Sequence, residues 1–133
     1  MSDYRKASPE VISAIRAAAD SVAQVFTQLG VRAFHVDDRG AESGVEIETD
    51  IGDHFGQGVY LSWFPGAEVV DAAVEAMRSG RLDDPNIELQ GHIRTTQLSV
   101  IRKTLRESGV EYEEIDDDYR PFAIRVPFRQ FSS

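Results

Sequence analysis

The chain has 133 residues, a net charge of −9 and no cysteine. Its length is that of a single domain, and the lack of cysteine excludes disulfides, thiolate nucleophiles and zinc sites built on cysteine. With 23 acidic against 14 basic residues, the chain is expected to bind neither nucleic acid nor an anionic membrane surface, since both attract cations.

The first predicted element follows a polar tail of residues 1–7 and is a helix that begins at Ser8-Pro9-Glu10. Serine is a good N-cap, proline fits the first helical turn, and glutamate is favourable at the positive end of the helix dipole. Apolar residues then recur at steps of three and four up to Leu29, and Gly30 is expected to end the helix.

Three strands are predicted next, at Val31 to Asp37, Val45 to Ile51 and Val59 to Phe64. The second strand alternates apolar residues with carboxylates, which is typical of a half-buried strand with one wet face. The third is apolar on both faces, which favours a central position in the sheet.

A second helix is predicted from Ala67 to Ser79, and residues 87–93 are interpreted as a short strand. A third helix is expected from about Thr96 to Ser108. Two last strands, Val110 to Ile115 and Phe122 to Phe128, are predicted to form a hairpin joined by a polar turn.

This order, α-β-β-β-α-(β)-α-β-β, predicts an α+β domain with an antiparallel sheet of about five strands and two to three helices packed on one face. Short loops between neighbouring strands favour antiparallel pairing.

No linker is apparent, so residues 1–133 are expected to form one compact domain. A cytoplasmic location is expected, because no run approaches the roughly 20 apolar residues of a membrane span and residues 1–6 lack the apolar centre of a signal peptide.

One candidate site is a group of carboxylates and imidazoles on and after the first two strands: His35, Asp37, Asp38, Glu46, Glu48, Asp50, Asp53 and His54. If the two strands pair with these sides together, the group suits a metal-assisted or general acid–base enzyme. His35 or His54 would be the base, and Glu46, Glu48 or Asp53 a metal ligand or orienting group. The spacing matches no established metal motif, so the alternative is an ordinary solvated sheet face.

The glycine-rich segment 50–58 is a second candidate, because glycine lets the backbone approach a ligand closely. It lacks the Gly-Lys-Ser or Gly-Lys-Thr ending of a phosphate-binding loop and does not resemble a dinucleotide fingerprint. No cofactor is therefore expected, and the alternative is a flexible hairpin connection.

A third candidate is the run Asp116-Asp117-Asp118-Tyr119-Arg120. It lacks the glycine and the closing glutamate of a calcium loop. One interpretation is a solvated turn. The other is an acidic knob offered to a basic protein partner, with Tyr119 and Arg120 as anchors.

We expect a non-enzymatic interaction module that binds a basic protein or associates with itself, and the enzyme described above is the alternative hypothesis. The charge and the lack of a catalytic motif favour the module. Self-association would follow if the apolar segment Phe122 to Phe131 formed a sheet edge, because proteins seldom leave such an edge uncovered.

Overall fold

The computed structural model describes residues 7–52 and 56–131. In this part of the chain it contains three α-helices: α1 (Pro9–Gln28), α2 (Ala67–Arg78) and α3 (Pro85–Glu107). The five strands are β1 (Ala33–His35), β2 (Gly44–Asp50), β3 (Gly58–Phe64), β4 (Glu113–Glu114) and β5 (Ile124–Val126). Short 3-10 turns cover Val36–Asp38 and Phe128–Phe131. The α+β class is confirmed.

The five strands form one sheet in the order β1-β2-β3-β5-β4. The pairs β2–β3, β3–β5 and β4–β5 are antiparallel, but β1 and β2 are parallel. The prediction of an antiparallel sheet was therefore wrong at this pair, and the sheet is mixed.

The parallel pair arises because the predicted first strand ends early. After His35 the chain forms the 3-10 turn and a loop. Strand β2 then begins at Gly44, which lies beside Arg32. The amide of Val45 donates to the carbonyl of Arg32 at 2.9 Å. A Cβ atom on Gly44 would lie 2.8 Å from that same carbonyl oxygen, so the return path requires glycine.

Helix α3 begins eleven residues before the predicted Thr96, and residues 87–93 are helical instead of a strand. Asp84 is its N-cap and accepts from the amide of Asn86 at 2.8 Å, while Pro85 occupies the first turn. The buried residues of α3 all lie in its second half. The first half consequently has no apolar stripe that periodicity would detect.

The core lies between one face of the sheet and helices α1 and α3. Val45, Ile47 and Leu61 point into it from the strands. The helices and the C-terminal turn contribute Ile15, Ala18, Ala19, Val22, Phe26, Leu98, Ile101, Leu105 and Phe128. Helix α2 packs against α3 and adds no residue to this cluster. The opposite face of the sheet, called the outer face below, carries polar side chains together with the buried rings of Tyr60 and Phe64.

The segment Phe122 to Phe131 is not a sheet edge, which corrects the basis for predicted self-association. Strand β5 lies between β3 and β4, and Ile124, Val126 and Phe128 are buried. The edges of the sheet are β1 and β4, and β4 consists of two exposed glutamates. No helix in the described part of the chain is long and apolar enough to cross a membrane.

Two leucines on α3 test the placement of the core. Leu105 is fully buried and Leu89 is 46% exposed. Because truncating a buried leucine loses its transfer free energy and leaves a cavity, we expect Leu105→Ala to lower the free energy of unfolding by about 2–5 kcal/mol. The matched variant Leu89→Ala should cost less than about 1 kcal/mol. Urea unfolding measures both, and equal losses would contradict this packing.

Candidate functional site

The outer face carries the row of carboxylates predicted on β2. Glu46, Glu48 and Asp50 alternate with the buried Val45 and Ile47, so all three lie on the face away from the core.

Strand register extends this polar surface across the sheet. Glu48 is opposite Tyr60, Tyr60 is opposite Arg125, and Arg125 is opposite Glu113. The last pair is an ion pair at 3.5 Å. Charges of opposite sign therefore alternate with an aromatic ring along one line perpendicular to the strands.

Arg120 lies over this surface and joins it to the turn between β4 and β5. Its Nε donates to Oε1 of Glu48 at 2.9 Å and its Nη2 donates to Oδ2 of Asp50 at 3.2 Å. Its Nη1 donates to Oδ2 of Asp117 at 3.0 Å, and the guanidinium stacks 4.0 Å above the ring of Tyr60. The predicted anchor therefore holds its own turn onto the sheet.

The electrostatics of this contact show that ion pairing outweighs desolvation. Burial by itself would lower the pKa of Arg120, but hydrogen bonds to Glu48 and Asp117 raise that pKa above its usual value. For Tyr60 the balance is reversed: burial raises the pKa of its phenol, although Arg120 and Arg125 oppose the shift. Its hydroxyl donates to the carbonyl of Gly56 and is held neutral.

The structure divides the predicted acidic knob into two parts with different roles. Asp117 is structural, because its Oδ1 accepts from the amide of Tyr119 at 2.9 Å while its Oδ2 holds Arg120. Asp116, Asp118 and Tyr119 point outward, and Tyr119 is 95% exposed. Arg120 points inward, so it is not available as an exposed anchor.

The predicted imidazole and carboxylate group is not brought together among the described residues. His35 pairs with Ile47, so its side chain lies on the core side of the sheet, where its Nε2 is 3.8 Å from Asp20 of α1. Asp53 and His54, with the middle of the glycine-rich segment, lie outside the described residues. Within 7–52 and 56–131 no group of three or more His, Asp or Glu side chains is placed to hold a metal ion.

A cavity of about 380 Å³ opens on the outer face beside Arg120. It lies where β5 stops pairing with β3 at Leu61, so that the segment 119–123 and the first half of α3 leave a gap against the sheet. Its lining combines two sequence candidates that were predicted separately: Glu46 and Glu48 of the carboxylate row, and Tyr119 and Arg120 of the acidic run. The other lining residues are Tyr60, Ser62, Gln90, Arg94, Pro121, Phe122 and Ala123.

Arg94 is a lining residue that the sequence analysis missed. Its Nη1 donates to the carbonyl of Trp63 at 3.2 Å, just beyond the end of the β3–β5 ladder, and its guanidinium lies 6.0 Å from the ring centroid of Phe122. Placing it required knowing that α3 starts at Pro85. The Asp84-Pro85 capping signal was the available clue.

Comparisons of the chain with protein-family models, with curated proteins and with solved structures find no match. The side chains of this site are therefore the evidence for its function.

Removing Arg120 tests its anchoring role. In Arg120→Gln, Glu48, Asp50 and Asp117 lose their shared cation, so we expect the free energy of unfolding to fall by about 1–3 kcal/mol. Arg120→Lys should recover only part of this, because one ammonium cannot reproduce the guanidinium fork. Arg16→Gln, an exposed arginine on α1, is the control and should stay within about 0.5 kcal/mol of the natural protein. Urea unfolding that ranks Arg120→Gln with the control would contradict the role.

The pH dependence of Asp117 provides a second test of the same contact. The amide of Tyr119 and the guanidinium of Arg120 hold the pKa of this carboxyl below its ordinary value. Its contribution to stability is therefore present above about pH 3.9, the pKa of an unfolded aspartate, and is lost as pH falls through the lower folded value. We expect the stability gap between the natural protein and Asp117→Asn to shrink below about pH 4 in urea unfolding series. A gap independent of pH would mean that Asp117 is not held as an anion.

Proposed function

We propose that this protein is a non-enzymatic interaction module that binds a basic protein partner. Its binding surface is the acidic ridge, defined as residues 111–119, which runs from the edge strand β4 to the tip of the turn before β5. The observation that carries the proposal is Tyr119: an aromatic side chain 95% exposed, on a turn anchored by Arg120 and close in sequence to carboxylates that pair with no described cation. Tyrosine is among the residues most enriched in binding hot spots.

The ridge has two kinds of carboxylate. Glu113, Glu114 and Asp117 are paired with arginines of the same chain. Glu111, Asp116 and Asp118 are exposed and form no ion pair within the described part of the chain. Asp116 and Asp118 precede Tyr119 in the same turn, and the free carboxylates are suited to steer and orient a partner rich in Lys and Arg.

Anchoring of the turn supports a binding role for the exposed tyrosine. A side chain on a loose loop loses conformational entropy when it binds, whereas one on a fixed turn loses less. The two hydrogen bonds of Asp117 and the contact of Arg120 with Glu48 fix the backbone on both sides of Tyr119.

A heterologous basic partner is favoured over a second copy of the chain. Edge pairing of two β4 strands would bring glutamates of both copies together, and like charges across a sheet edge repel. Predicted self-association depended on an edge strand in the segment Phe122 to Phe131, but its strand β5 lies between β3 and β4. The enzyme hypothesis draws no support from His35, whose ring is on the other face from Glu46 and Glu48.

The test compares the natural protein with three variants as baits in capture from lysate of the source organism, followed by titration of the purified partner. Asp116→Asn with Asp118→Asn removes the free charge at the tip, and Tyr119→Ala removes the anchor. Asp71→Asn with Asp83→Asn removes the same charge from exposed positions elsewhere. We expect a partner with an excess of Lys and Arg, bound about tenfold or more weakly by each ridge variant and unchanged by the control.

Binding should also weaken with salt, because its steering is electrostatic. A partner that the control pair loses as strongly as the ridge variants would show that only the overall charge matters. An acidic or neutral partner insensitive to Tyr119→Ala would overturn the proposal.

A further inference from the structure

We propose that the outer-face cavity between β3, α3 and residues 119–123 binds the carboxylate group of an organic monoacid, with Arg94 as the anchoring cation. This site adjoins the acidic ridge and shares Tyr119 with it, but its ligand has the opposite charge to the partner proposed there.

Arg94 differs from the other arginines on and around the outer face. Arg39 pairs with Glu46 at 3.4 Å, Arg120 pairs with Glu48, and Arg125 pairs with Glu113 at 3.5 Å. Arg94 lines the cavity and forms no ion pair within the described part of the chain; its hydrogen bond goes to the neutral carbonyl of Trp63. The guanidinium has five donors, so most of them stay available to a ligand.

The surroundings of Arg94 disfavour its charged form when no ligand is bound. Burial lowers the pKa of Arg94, the nearby charge of Arg39 adds to the effect, and Glu46 only partly opposes it. A half-buried cation that forms no ion pair has lost hydration, and the charge of Glu46, which pairs with Arg39, replaces it only in part. A ligand carboxylate would supply the missing partner, and the planar guanidinium can hold it through two parallel hydrogen bonds.

The other walls of the cavity limit the ligand. Ser62 and Gln90 provide neutral hydrogen-bonding groups, while Phe122 provides aromatic surface for an apolar body. Glu46 and Glu48 also line the cavity and Arg120 is already paired with Glu48, so among the described lining residues only Arg94 is left to pair with a negative charge on the ligand. The volume of about 380 Å³ lies within the range of small-molecule sites. These walls together favour a small aromatic or aliphatic acid with a single charge.

The carboxylate that binds Arg94 can belong to a free small acid or to the C-terminus of a peptide chain. The probes are therefore two pairs: 3-phenylpropanoate with its amide, and the tripeptide Gly-Gly-Phe with a free or an amidated C-terminus. Binding is followed by calorimetry and by amide chemical shifts of the labelled protein. The pair that binds more tightly identifies the source.

We expect at least one carboxylate to bind with a dissociation constant of about 1 mM or below, which ligands of this size reach in a fitting site. Its amide should bind at least about tenfold more weakly, because the charge-assisted hydrogen bonds are lost. The shift changes should centre on residues 60–64, 90–94 and 119–123.

Three variants separate loss of the site from loss of the fold. Arg94→Gln should weaken the carboxylate at least about tenfold and leave the amide unchanged. Ser62→Leu keeps Arg94 and fills the cavity, so it should block both the acid and the amide. Arg16→Gln removes an exposed charge from α1 and should bind as the natural protein does. Far-UV circular dichroism confirms that each variant is folded.

The proposal is overturned if neither carboxylate binds up to about 10 mM, well above the range expected for a fitting site. It is also overturned if acid and amide bind alike, or if a folded Arg94→Gln binds as tightly as the natural protein.

Discussion

The contact between Arg120 and the carboxylates of β2 shapes both the acidic ridge and the outer-face cavity. It joins the turn before β5 to Glu48, 72 residues earlier in the chain, and adds Asp50 and Asp117 to the same guanidinium. Because this fixes the path of residues 117–123, Tyr119 projects into solvent and Phe122 becomes a wall of the cavity. Without the contact, the turn would lose its side-chain hydrogen bonds to β2.

Much of the fold could be predicted from the sequence because its signals are local. The cap and proline at Ser8-Pro9 place the start of α1 correctly, and alternation places β2 and its wet face. The start of α3 carries the same kind of cap at Asp84-Pro85, but its buried apolar residues begin only at Leu98, so periodicity favoured a later helix. The parallel pairing of β1 depends on the tight return at Gly44, which is a contact between chain segments that no local pattern encodes.

The candidate site was predictable only as separate pieces. Carboxylates on one side of β2 and an acidic turn are visible in the sequence, whereas their connection through Arg120 depends on tertiary structure. His35 was expected beside the row, but parallel register places it opposite Ile47 and alternation then turns it to the core side. Composition was also a poor guide here: the chain has a net charge of −9, yet the carboxylates of the outer face are largely balanced by arginines.

Trp63 is the only tryptophan of the chain, and it lies at the end of β3 where the ladder with β5 has stopped. Its carbonyl is bound by Arg94 at the rim of the cavity, while its ring packs against the core. Intrinsic tryptophan fluorescence of this protein is therefore not an average over the molecule. It reports a single location, at which the core, the end of the central strand and the outer-face cavity meet.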